Sequence, residues 1–93
     1  MSSQVPAPKW QASTDLLSSK IDEEVIIMGL QTDKYYGLDA IASRIWELLE
    51  EPRSLDELVL LLCEEYEVEE AVCREETLAL LQEMAKQKLV HER

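Results

Sequence analysis

The amino-acid sequence predicts an α+β domain in which a small antiparallel sheet precedes three helices. Two stretches rich in β-forming residues, 25–28 and 34–38, flank the turn-like segment 31–33 and indicate a hairpin. From Asp39 onward the apolar residues recur at helical spacing instead. The hairpin therefore comes before the helices, and an apolar strand end leads directly into an amphipathic helix.

A further strand is expected upstream of the hairpin, where the pattern is irregular but apolar side chains are available. These side chains are Trp10, Leu16, Leu17 and Ile21. The acidic run 22–24 then turns the chain into the hairpin, which gives a three-stranded antiparallel sheet. A sheet of so few strands leaves at least one edge unpaired, and an unpaired edge can accept a peptide.

The domain is expected to span residues 10–93. Residues 1–9 carry two prolines and two serines without periodicity, and we interpret them as a flexible N-terminal arm. A length of 93 residues suits one domain with a modest core and leaves no room for a second, catalytic domain.

The first two predicted helices begin at recognisable caps. Asp39 can accept hydrogen bonds from first-turn amides, and it opens a helix over about residues 40–50. Ser54 and Glu57 have the spacing of a capping box, so a second helix begins at Leu55. Its apolar face follows the i, i+3, i+4, i+7, i+11 pattern and consists of Leu55, Leu58, Val59, Leu62 and Tyr66.

The third predicted helix covers about residues 69–88, with a short extension at Leu89 and Val90. Its apolar positions span an arc of roughly 180 degrees, compared with roughly 100 degrees for an ordinary surface helix. Two interpretations follow. Either this helix is central and packs on both other helices and the sheet, or one flank forms a groove beside the sheet edge.

The charge balance disfavours several partners. The formal net charge is -11, from 9 Lys and Arg against 20 Asp and Glu, which opposes binding to nucleic acid and to anionic membranes. The acidic residues are interleaved with apolar ones, which indicates that they form solvated helix faces. The alternative is a docking surface for a basic partner. No apolar stretch is long enough for a signal peptide or a membrane span, so a cytoplasmic location is expected.

Nothing in the sequence indicates catalysis, a cofactor or a metal. Cys63 and Cys73 are ten residues apart on different predicted helices, and we expect free thiols. His91 is the sole histidine and lies near the end of the chain, where we expect an exposed tail. The carboxylates lack a histidine, a metal-ligand cluster or a phosphate-binding loop that would give them catalytic roles.

In this order, the motifs resemble the PqqD-like peptide-recognition domains that serve ribosomally made, post-translationally modified peptides. The resemblance covers about residues 14–90 and includes an apolar strand, a turn, an aromatic strand ending in Leu38-Asp39, and Ile-Trp-x-Leu-Leu at 45–49. Four residues depart from the family pattern, namely Gly29, Asp33, Thr77 and Lys88. Thr77 replaces a larger aliphatic residue and Lys88 replaces a glycine.

The resemblance implies a winged helix-turn-helix arrangement and a non-catalytic adaptor. Family members bind the leader segment of a precursor peptide, which adds as a further strand to the third strand, here about residues 33–38. Leader side chains then enter the cleft between that strand and helix three. Free-standing members from lasso-peptide systems work beside a separate leader peptidase, and others serve a modifying enzyme. The implied peptide-binding residues are Asp33, Lys34, Tyr35, Tyr36, Glu76, Thr77, Leu80 and Met84.

Two other functions remain open from the sequence, a winged-helix DNA-binding regulator and a general protein-interaction subunit. The DNA-binding hypothesis conflicts with the charge of the predicted recognition region, because such a helix needs Lys or Arg directed at phosphates and base edges. Residues 64–76 instead contain Glu64, Glu65, Glu67, Glu69, Glu70, Glu75 and Glu76, with only Arg74 opposing them.

Overall fold

The computed structural model describes residues 8–14, 16–29 and 34–92. The secondary structure begins with four strands. In chain order the elements are β1 (Lys9–Ala12), β2 (Leu16–Ile21), β3 (Glu24–Gly29), β4 (Tyr35–Gly37), α1 (Ala40–Leu48), β5 (Arg53–Ser54), α2 (Leu55–Glu65), α3 (Glu70–Lys86) and β6 (Val90–Glu92). Within the described residues, no helix has the length and apolar character needed to cross a membrane.

The larger sheet is antiparallel and has the strand order β2-β3-β4. Its register aligns Ser18 with Ile27 and Ile27 with Tyr36. Ile27 is fully buried and Tyr36 is half-buried against the core, so this row lies on the inner face. The predicted hairpin, three-stranded sheet and three helices are therefore confirmed. The predicted turn at 31–33 lies outside the described residues.

A second small sheet has the order β5-β1-β6 and was not predicted. Trp10 pairs with Arg53 on one side and with Glu92 on the other. The expectation that Trp10 joins the larger sheet is therefore wrong, and only Leu16–Ile21 forms the expected upstream strand. Lys9, placed in the arm by the sequence pattern, begins β1, while residues 1–7 lie outside the described part of the chain. His91 is exposed, as expected, but it belongs to β6 and pairs with Gln11 of β1.

The helix ends follow local capping rules. The Asp39 carboxylate accepts a hydrogen bond from the Ala42 amide at 2.9 Å and caps α1. Ser54 and Glu57 form the reciprocal capping box of α2. Both predicted caps are confirmed, because each depends only on residues close together in the sequence.

The end of α3 adopts a conformation that favours glycine. Lys88 has φ of 63°, in the left-handed region. The Lys88 amide donates to the Ala85 carbonyl, and the Leu89 amide donates to the Met84 carbonyl. Together these two hydrogen bonds form a Schellman motif. Leu89 and Met84 are both buried, so the turn is also held by an apolar contact across the helix end.

A buried serine connects the larger sheet to α1. The Ser43 hydroxyl is 1% exposed; it accepts a hydrogen bond from the Val25 amide at 2.7 Å and donates one to the Leu38 carbonyl at 3.1 Å. The Leu38 amide in turn donates to the Val25 carbonyl at 2.9 Å. One hydroxyl therefore joins the start of β3, the residue after β4 and the first turns of α1.

Ser43→Ala is expected to destabilise the fold. The substitution leaves the buried Val25 amide and the half-buried Leu38 carbonyl without their partner, which costs about 1–3 kcal/mol in the free energy of unfolding. Urea unfolding followed by circular dichroism measures this change, with the exposed Ser19→Ala as the matched control. Equal stability of the two variants would contradict the bridging role of Ser43.

Candidate functional site

One edge of the larger sheet is open along β4. β4 pairs with β3 on one side, and no other described strand pairs with its second side. Hydrogen bonds at both ends fix the ladder, since the Gly29 amide donates to the Lys34 carbonyl at 3.2 Å and the Leu38 amide donates to the Val25 carbonyl at 2.9 Å. Lys34 and Leu38 therefore direct their backbone polar groups toward β3.

The alternation of an antiparallel ladder assigns the remaining backbone groups of β4. Tyr36, between Lys34 and Leu38, also faces β3, opposite Ile27. The amides and carbonyls of Tyr35 and Gly37 consequently point away from the sheet. The open edge thus presents two donors and two acceptors in strand geometry.

The two tyrosine side chains of β4 point to opposite faces. The Tyr35 side chain is 69% exposed on the face away from the core. The half-buried Tyr36 packs against the core, and its hydroxyl donates to the Gln87 side-chain carbonyl at 3.2 Å. Tyr36 therefore occupies the space between β4 and the end of α3.

An open cavity of about 340 Å³ lies beyond the carboxyl end of β4, between the helices. Its apolar walls are formed by Ile41 and Ile45 from α1, Leu62 from α2, and Val72 and Leu80 from α3. None of the described β4 residues lines this cavity, so it lies closer to α1 than the expected cleft between β4 and α3.

The structure brings together three of the four helix residues that the family resemblance implied. Glu76, Thr77 and Leu80 line the cavity. Met84 does not line it and lies in the core at 2% exposure, where it can support the wall but has little surface for a ligand. The reason is the helical repeat, which places Met84 on the buried stripe of α3, seven residues after Thr77 and three after Leu81.

The strand residues are placed differently. Lys34 is exposed immediately before β4, Tyr35 offers its backbone to the open edge, and Tyr36 reaches Gln87 at the end of α3. Asp33 lies outside the described residues.

Sequence reasoning missed the contribution of α1 and the α2–α3 connection to the cavity. Ile41 lies on the apolar face of α1 beside Ala42 and Ile45, yet it is 42% exposed at the cavity. Val68 and Val72 also line it and are 45% and 47% exposed. Ile41 carried a signal, since it precedes the buried Ala42 and Ile45 and widens the apolar face beyond what the core covers.

An ion pair holds α1 and α2 together beside the cavity. Arg44 donates two hydrogen bonds of 2.8 Å to the two carboxylate oxygens of Glu65. The hydrogen bonds from Arg44 lower the pKa of the Glu65 carboxyl below its ordinary value. Glu65 immediately precedes Tyr66, a cavity-lining residue, so the pair fixes this part of the wall.

Glu65→Gln is expected to reduce the acid sensitivity of the fold. A carboxyl whose pKa is lowered by folding stabilises the native state above its unfolded pKa, and this contribution disappears as the pH falls through the folded value. The free energy of unfolding should therefore fall less for Glu65→Gln than for the parent between about pH 6 and about pH 3. Urea titrations across this range test it. Glu64→Gln, at the exposed neighbouring position, should follow the parent.

The cysteines are free thiols, with Cys73 buried and Cys63 half-buried. Cys73 lines the cavity floor, where its sulfur lies 3.8 Å from the Thr77 hydroxyl. Burial raises the pKa of the Cys63 thiol. The raised pKa disfavours the Cys63 thiolate, which is the nucleophilic form.

Taken together, the fold and site define an α+β domain with an open strand edge and an apolar cavity that begins two residues beyond the strand, at Asp39. The family model of coenzyme PQQ synthesis protein D (PqqD) matches residues 24–90. The chain therefore belongs to the PqqD family, which confirms the resemblance seen in the sequence. No significant match is found among curated proteins.

Two solved structures are similar over most of the chain. One, described as TbiB1 in complex with the TbiA(beta) leader peptide, is 38% identical, has a TM-score of 0.80, and aligns over 87% of this chain and 94% of that one. The other, lasso peptide synthetase B1 complexed with the leader peptide, is 18% identical with a TM-score of 0.78. It aligns over 88% of this chain and 96% of that one, and supports the fold alone.

Proposed function

We propose that this chain is a non-catalytic adaptor that binds the leader segment of a ribosomally made precursor peptide and presents it to a separate maturation enzyme. The observation that carries the proposal is the open edge of β4 together with the apolar cavity that begins at Asp39, two residues beyond the strand. The 38% identity to TbiB1, a protein solved with a leader peptide, supports the same ligand class.

Strand addition explains how one short edge recognises an extended peptide. The exposed amides and carbonyls of Tyr35 and Gly37 set the register of the leader through backbone hydrogen bonds. Leader side chains opposite Tyr36 and Leu38 then lie on the inner face of the sheet, toward α3 and the cavity. These positions supply the apolar anchors.

The alternating geometry also supports presentation to a second protein. Leader side chains opposite Tyr35 and Gly37 lie on the outer face, where Tyr35 is 69% exposed. Half of the bound leader thus stays accessible beside this face. The partner in the proposal is a leader peptidase or a modifying enzyme, and leader cleavage or modification in trans should be faster with this chain present.

Gly37→Pro is expected to weaken leader binding while Gly37→Ala preserves it. Proline removes an outward amide without removing a β3–β4 hydrogen bond, whereas a Cβ at this position meets nothing within 4 Å. The loss should be about fivefold or more in Kd, since one hydrogen bond contributes ~1 kcal/mol. Fluorescence anisotropy with labelled TbiA(beta) leader peptide measures the Kd. Equal affinity of the two variants would argue against strand addition at β4.

Leu80→Ala is expected to weaken leader binding through the loss of a cavity wall. Leu80 lines the cavity, whereas the similarly half-buried Leu78 lies on a different surface of the same helix. Leu80→Ala should raise the Kd about tenfold, since removing a buried aliphatic contact costs roughly 1.5 kcal/mol. Leu78→Ala is the matched control and should bind as the parent does. Isothermal titration calorimetry measures the Kd of both variants. Equal Kd values would mean that the apolar leader residue does not bind against Leu80.

A further inference from the structure

Two acidic residues give the cavity an anionic rim. Its lining includes the carboxylates of Asp39 and Glu76, and no Lys, Arg or His among the described residues. Asp39 lies at the N-terminus of α1, and Glu76 projects from α3. The rest of the lining is predominantly apolar, so these two carboxylates set its electrostatic character.

The neighbouring cations are engaged elsewhere. Arg44 pairs with Glu65 and Glu47, while Arg74 pairs with acidic residues on α2 and α3 outside the cavity. Within the part of the chain that the structure describes, Glu76 takes part in no ion pair. Its charge is therefore not offset by a paired cation, at the border of a lining that is predominantly apolar.

We propose that the cavity selects leaders in which the apolar anchor is accompanied by a lysine or arginine, whose charge is received by Glu76 and Asp39. This inference rests on the proposed function. Along a strand, side chains on the same face are two residues and about 6.6 Å apart. A basic residue two positions from the anchor therefore faces the same cavity, and its long side chain can reach the rim.

The same arrangement discriminates against acidic leaders. A carboxylate at that position would lie close to Glu76 and Asp39, in a protein with a formal net charge of -11. Repulsion then adds to the loss of attraction, so the discrimination between Lys and Glu exceeds the worth of one ion pair. The apolar walls supply affinity, and the charged rim supplies selection.

The test is a charge scan of the leader. Each residue of the TbiA(beta) leader peptide is replaced in turn by Lys and by Glu, and each peptide is titrated against the full chain. At one or two positions the Lys peptide should bind about fivefold tighter than the Glu peptide. This ratio corresponds to about twice the free energy of one exposed ion pair. Higher salt should reduce this ratio.

Protein variants identify the carboxylate responsible. Glu76→Gln should bring the Lys-to-Glu ratio toward one, and Glu76→Lys should reverse it. Asp39→Asn removes the second charge while keeping a capping side chain and should also lower the ratio. Glu75→Gln, the control on an adjacent exposed position outside the cavity, should leave the ratio unchanged.

The outcomes separate this inference from the proposed function. If the unmodified leader binds but Lys and Glu are equivalent at every position, the charge selection is wrong and leader binding stands. A ratio unaffected by Glu76→Lys also overturns the assignment to this rim. If neither the unmodified leader nor any scanned peptide binds saturably, the proposed function is contradicted and the charge selection with it.

Discussion

The position of the whole candidate site depends on the buried hydroxyl of Ser43. This hydroxyl joins the amide of Val25 to the carbonyl of Leu38, so the sheet and α1 meet at one fixed point. Asp39, the next residue, caps α1 and also lines the cavity. The open edge and the cavity are therefore adjacent because a strand passes into a helix through two residues, without an intervening loop.

Two neighbouring rows of side chains on helix α3 face the core and the cavity, respectively. Cys73, Thr77, Leu81 and Met84 are buried, while Glu76 and Leu80 border the cavity. In a helix, consecutive residues are about 100 degrees apart, so two such rows together make a wide apolar arc. The wide arc therefore serves both the core and the cavity, although the cavity lies between the helices and not beside the sheet edge.

Local signals in the sequence predict the caps, the hairpin and the three helices, because these features depend on residues close together in the chain. The second sheet escapes prediction because β5 has two residues and β6 has three, too few for an alternating pattern. The site is partly predictable. Glu76 and Leu80 follow from the resemblance, but which of the two adjacent tyrosines turns inward depends on the strand register, which places Tyr36 opposite the buried Ile27.

The shortness of β4 determines how this chain can be selective. A three-residue edge with a lysine before it and a strongly acidic protein around it discourages pairing between copies. The same shortness limits the proposed leader to the four backbone groups of Tyr35 and Gly37, which any extended peptide can satisfy. Discrimination between peptides must therefore come from side chains beyond the end of the strand. That is where the structure places the cavity, with its apolar walls and two carboxylates.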